Sequence, residues 1–284
     1  MTMSTLTTDS VKEATAPRPR FGWLITDSIS VSRRHLLKIT RVPESLFFAL
    51  IQPVMFVLLF AFVFGGAIDV GPGGAQAYRE YLIPGILAQT VMFAVAGITV
   101  GITEDASKGI MDRFRSLPMR PGAVLTGHTL ASLLQNILVI TILSITGLAV
   151  GWRIHNGFSD AALAYLMFAT FAYAITWVGA WIGLHMPNSE VAGTAGLAWI
   201  FPFTFASNIF TPVATMPGWL QPFVLWNPVS SLALAARQLF GNPTPLLGDS
   251  FPERYPVQLS FAYSFLLLAI FAPLAVRAFK TRNK

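Results

Sequence analysis

The sequence predicts an all-α integral membrane protein with six transmembrane helices, and three observations carry the prediction. Over 284 residues, 54% are hydrophobic and only 11% charged, against roughly 25% charged in soluble domains. Six stretches, at about 46–66, 82–102, 123–150, 161–184, 191–212 and 257–276, are free of Asp, Glu, Lys and Arg, and each reaches the roughly 20 residues that a helix needs to cross hydrocarbon. Finally, 15 of the 19 Lys and Arg residues fall before span one, between spans two and three, or after span six. Positive residues stay on the cytoplasmic side, so both termini and the loop after span two are expected there, and the basic balance is explained without nucleic acid.

Residues 1–20 contain no apolar core of a signal peptide and are expected to be a disordered cytoplasmic tail. Residues 21–284 read as one membrane domain. Ahead of span one, Trp23, Leu24, Ile29, Leu36, Leu37 and Ile39 lie among Arg33, Arg34, Lys38 and Arg41. That mixture suits a helix lying in the membrane interface, the alternative being a solvated tail. Spans two and four carry the glycine pairs Gly97/Gly101 and Gly179/Gly183, whose spacing predicts close helix packing.

Between spans two and three lies a charged island, "EDASKGIMDRFRSLPMRPG". Ile110, Phe114 and Leu117 recur at helical spacing with Met111 beside them, while Asp105, Lys108, Asp112, Arg113 and Arg115 occupy the other faces. Pro118 and the Pro121-Gly122 pair then end the helix. Such a helix, at about 105–118, either seats its apolar face in a groove of a partner protein or rests that face on lipid. Span five, "LAWIFPFTFASNIFTP", combines Phe201, Phe203 and Phe205 with Asn208, and span two contributes Gln89, Thr90 and Phe93. These side chains either line a path for an amphipathic molecule or pack against lipid and neighbours. After span five, residues 219–236 are apolar enough to suggest a seventh span. Pro222 and Pro228 would break such a rod, so two short helices that dip into the membrane and return are expected at about 213–240.

Several chemistries are excluded. "GAVLTGHT" has the spacing of a phosphate-binding loop, but His128 replaces its lysine and no strand precedes it. The four histidines are dispersed and cysteine is absent, so no metal or thiolate site is expected. No charged residue falls within a predicted span, which removes the usual seat of a coupled proton and directs attention to an energy source in another chain.

The segments "DASKGIMDRFRSLPMRPGAVLTGHTLA", "YLIPGILAQTVMF" and "MPGWLQPFVLWNPVSSLALAAR" together resemble the permease subunits of type-2 ABC exporters, especially the daunorubicin-resistance-type drug-efflux permeases. His128 departs from the family, in which a basic residue commonly follows the glycine. The resemblance implies six helices, an N-terminal interfacial helix and a re-entrant pair before span six. It also implies a coupling helix through Asp105, Lys108, Gly109, Met111, Asp112, Arg113, Phe114, Arg115, Leu117 and Pro118, docking on a separate ATPase. That ATPase would bind ATP and Mg, leaving this chain non-catalytic and without a cofactor. The implied assembly pairs two permeases, identical or not, in a bacterial plasma membrane, and exports a drug, antibiotic or lipid. Polysaccharide or lipid-linked glycan export and a non-transporting scaffold are the alternatives.

Overall fold

The computed structural model describes residues 43–108 and 121–281, with no side chains described at 43–49, 121 and 123. The tail, the expected interfacial helix and the island from Gly109 through Met111, Asp112, Arg113, Phe114, Arg115, Leu117 and Pro118 therefore lie outside the described residues. Within them all regular structure is helical, with no strand.

In chain order the helices are α1 (Pro43–Leu59), continued by a π-helical segment (Phe60–Phe64), α2 (Gly74–Ser107), α3 (Pro121–Val150), α4 (Phe158–His185) and α5 (Ser189–Phe205). A 3-10 turn (Val213–Thr215) and two short helices follow, α6 (Gln221–Leu225) and α7 (Pro228–Phe240), then α8 (Phe251–Arg254) and α9 (Pro256–Thr281). Helices α2, α4 and α9, with 124–150 of α3, are long and apolar enough to cross a membrane; in α1 the described apolar stretch, Leu50–Phe64, is shorter.

The core forms around α2, which packs against α3, α4, α5 and α7. At 34 residues it spans about 51 Å at 1.5 Å per residue. The expected span, 82–102, covered only its apolar middle. Hydropathy stops where Arg79, Glu80, Glu104 and Asp105 begin, but these residues continue the helix and find partners: Glu80 lies 3.0 Å from His155, and the Gln76 amide donates to Gly151 at 2.7 Å.

The contact between α2 and α4 is made by small residues. A methyl group on Gly183 would stand 2.6 Å from the Thr99 carbonyl, and one on Gly179 would stand 2.8 Å from that of Val95. The Thr99 and Thr103 hydroxyls donate to the Gly179 and Gly183 carbonyls at 3.1 and 2.9 Å. The second pair behaves otherwise, for a methyl on Gly97 or Gly101 would meet nothing within 4 Å. Of the two pairs, the α4 pair is the one that packs closely against a described helix.

Span five is shorter than its apolar composition suggests. Expected to continue to residue 212, the helix ends at Phe205, and residues 206–212 run without regular structure, mostly buried. The stretch once suggestive of a seventh span is two helices broken at Trp226 and Asn227, with Pro222 and Pro228 in their first turns.

Candidate functional site

Buried irregular backbone needs a partner for each peptide group, and in an apolar surrounding those partners must come from protein. Side chains from α2 and α7 supply them to residues 203–210. Asn227 Nδ2 donates to the Phe203 and Ala206 carbonyls, both at 2.7 Å, while its Oδ1 caps α7 by accepting from the Val229 amide at 2.9 Å. The Asn208 amide donates to Ser230 Oγ at 3.1 Å. The hydroxyls of Tyr81 and Tyr78 donate to the Asn208 and Phe210 carbonyls at 2.5 and 3.1 Å.

Arg237, at the end of α7, closes this knot. It is 1% exposed, with its guanidinium 3.6 Å above the Tyr81 ring centre. Nη2 donates to the Asn208 and Ile209 carbonyls at 2.9 and 3.1 Å, and Nη1 to Asn208 Oδ1 at 3.3 Å. Nε donates to the Tyr81 carbonyl at 2.8 Å, next to the Glu80 carbonyl that Pro84 leaves without a helical donor. Gly85 makes the approach feasible, since a methyl there would lie 2.7 Å from the Ile209 carbonyl and 2.9 Å from Nη2. Arg237 lies within the stretch at about 213–240 where a re-entrant pair is expected, and the structure places it in the core.

Beside the knot opens a cleft of about 540 Å³, lined by Phe203, Phe223 and Trp226 with Pro202, Pro222 and Pro228. Asn227 also borders it, but its amide is committed to the three backbone bonds above. The cleft is open, and offers an apolar, partly aromatic surface on which Phe223 and Trp226 are exposed.

The residues singled out from sequence divide between these features. Phe203 lines the cleft, and Asn208 belongs to the knot, its side-chain oxygen turned to Arg237. Phe201 and Phe205 stack at 5.8 Å, Phe93 meets Phe201 edge-on at 6.5 Å, and Phe205 approaches Phe210 at 6.0 Å. Phe60 extends the series by stacking on Phe210 at 4.5 Å, so α1, α2 and α5 share one row of rings, with Phe201 and Phe205 exposed. Thr90 is buried and bonds its own helix at Ile86, and Gln89 is buried with its amide nitrogen unpartnered.

A second polar pair lies at the other end of α2. Asp105 and His128 are both buried, with Oδ2 and Nε2 3.2 Å apart. They join the end of α2 to α3 across the base of the charged island, while Lys108 reaches Glu104 at 3.4 Å on the exposed side. The histidine that departs from the family pattern thus has a structural partner. Among the described residues no group of acidic or histidine side chains can hold a metal ion.

Comparison with known proteins follows the same outline. Residues 27–240 match the family model described as ABC-2 type transporter. The chain is 30% identical to the daunorubicin resistance ABC transporter permease protein DrrB1 of Streptomyces coeruleorubidus, over 94% of this chain and 90% of that protein. It is 24% identical to the doxorubicin resistance ABC transporter permease protein DrrB of Mycobacterium tuberculosis, over 76% of each.

Proposed function

The chain belongs to the ABC-2 type transporter family of membrane permeases, and from that premise we propose that it is the membrane subunit of an ATP-driven exporter of hydrophobic or amphipathic compounds. The observation that carries this reading is the near full-length similarity to a daunorubicin resistance permease. The cleft supports the substrate class: its rings and prolines present apolar surface, and both N–H donors of its bordering amide are already given to backbone carbonyls.

In this reading α1 to α5 and α9 are the six spans, with both termini and the charged island in the cytoplasm of a bacterial cell. α6 and α7 form the re-entrant pair, entering from the outer face and returning. Residues 109–118, beyond the end of α2, are the coupling segment, and Phe114 its main apolar contact with a separate ATPase that binds ATP and Mg. The buried Asp105–His128 pair supports that role, because it braces the helices on both sides of the island. The exposed rings of α1 and α5 suit either lipid or a second permease, and substrate would pass between the two permeases by way of the cleft and the Phe201–Phe205 face.

Purification of the tagged chain in mild detergent, alongside Phe114→Ala, tests the assembly. A Walker-motif ATPase recovered with the wild type and lost with the variant is expected. An ATPase retained equally by both removes Phe114 from the interface, and none with either contradicts the ATP-driven reading.

A further inference from the structure

Arg237 is a fully buried cation that forms no ion pair with a carboxylate among the described residues. Its donors satisfy the Tyr81, Asn208 and Ile209 carbonyls, which an apolar side chain would leave without them. An ionisable group buried in a membrane protein points to function. Its function is not ligand binding, because four of its five N–H donors are already directed at the chain's own oxygens.

Three of those four bonds hold the irregular segment after α5, and the fourth ties Arg237 to Tyr81 of α2. The segment's bonds to Arg237, Tyr81 and Ser230 run from side chain to backbone, so they can exchange without unwinding α2 or α7. The segment continues directly from Phe203 and Ala206, which line the cleft. Displacing that wall relative to α7 breaks the Asn227 bonds to Phe203 and Ala206, and carrying residues 208–209 along with it opens the Arg237 contacts.

We propose that Arg237 and Asn208 form a latch that holds residues 206–210 in the present conformation and must open in every transport cycle. The proposal rests on the export reading above. Arg237 is then a positioning residue: it acts on the cleft through the segment it holds and does not touch the transported compound.

The test strengthens the latch instead of destroying it. Asn208→Asp keeps the size of the side chain and places a carboxylate where the neutral Oδ1 now faces Nη1 at 3.3 Å. A charge-assisted bond is about twice as strong as a neutral one, so the thermal midpoint of the purified permease with its ATPase should rise. ATP-driven uptake of an amphipathic dye into inverted vesicles, at saturating dye and per permease, should slow roughly fivefold. A raised midpoint with unslowed uptake overturns the latch. If the midpoint does not rise, Tyr81→Phe decides, because it removes one bond to the Asn208 carbonyl while keeping the ring under Arg237. A lower midpoint with uptake held or increased supports the latch; uptake that falls in step with the midpoint overturns it. Absence of uptake by the wild type overturns the export reading and the latch together, whereas normal wild-type uptake confines any failure to the latch.

Discussion

Asn227 has the most consequences for its size. Truncation to alanine removes the cap on the Val229 amide at 2.9 Å and the donors to the Phe203 and Ala206 carbonyls at 2.7 Å each. Loss of an N-cap costs about 1 kcal/mol, and each carbonyl left buried without a donor about 1 kcal/mol more, at the lower end for unsatisfied groups. The residue is only 7% exposed, so bulk water does little to replace the bonds. Asn227→Ala should therefore destabilise the protein by ~3 kcal/mol, a large part of the roughly 5–15 kcal/mol of a typical fold. Thermal unfolding in detergent, followed by tryptophan fluorescence, measures the loss. Asn227→Asp supplies the control: it retains the capping oxygen but turns acceptors toward two carbonyls, and should be no more stable than the alanine variant. A loss below about 1 kcal/mol for Asn227→Ala, or an aspartate variant as stable as wild type, would refute the role of the amide in holding the end of α5.

Other perturbations address separate parts of the account. Gly85→Ala forces a methyl to within 2.7 Å of the Ile209 carbonyl and should cost about 1–3 kcal/mol by overpacking, read as a lower midpoint; an unchanged midpoint would contradict the close approach of α2 to residue 209. Phe114→Ala should weaken capture of the ATPase by ~1–3 kcal/mol, measured by titrating the purified subunits, with equal affinity counting against the docking face. Trp226→Ala removes a ring from the cleft wall and should raise the half-saturating dye concentration in vesicle uptake about tenfold, as loss of an aromatic contact of ~1.4 kcal/mol implies; an unchanged value would exclude the cleft from the path.

Hydropathy located the helical segments because burial in lipid demands long apolar runs, and the proline positions revealed the break between α6 and α7. The end of α5 was not legible. Residues 206–212 carry no charge to end a span, and what allows them to leave the helix is a set of hydrogen-bond partners distant in sequence, on Tyr78, Tyr81, Asn227, Ser230 and Arg237. The burial of Arg237 was not legible for the same reason: most of its acceptors are backbone carbonyls, which carry no residue signature. The motifs themselves held a signal, since "YLIPG", "ASNIF" and "NPVSSLALAAR" meet in one knot. Pro84 and Gly85 mark the point where α2 receives a neighbour. Asn208 stood out from sequence as a polar residue at the end of an aromatic span, and the structure gives its oxygen a partner within the chain. Gly97 and Gly101 show the converse, for their spacing matches that of Gly179 and Gly183 while only the latter pair meets a described helix closely.

ATP-dependent uptake into inverted membrane vesicles tests the central claim most directly. Vesicles containing the chain and the ATPase that purifies with it should accumulate an amphipathic fluorescent dye when ATP and Mg are supplied, and vesicles carrying Phe114→Ala should not. Accumulation that is absent with the intact complex, or that proceeds equally without ATP, would contradict the assignment of this chain as the permease of an ATP-driven exporter.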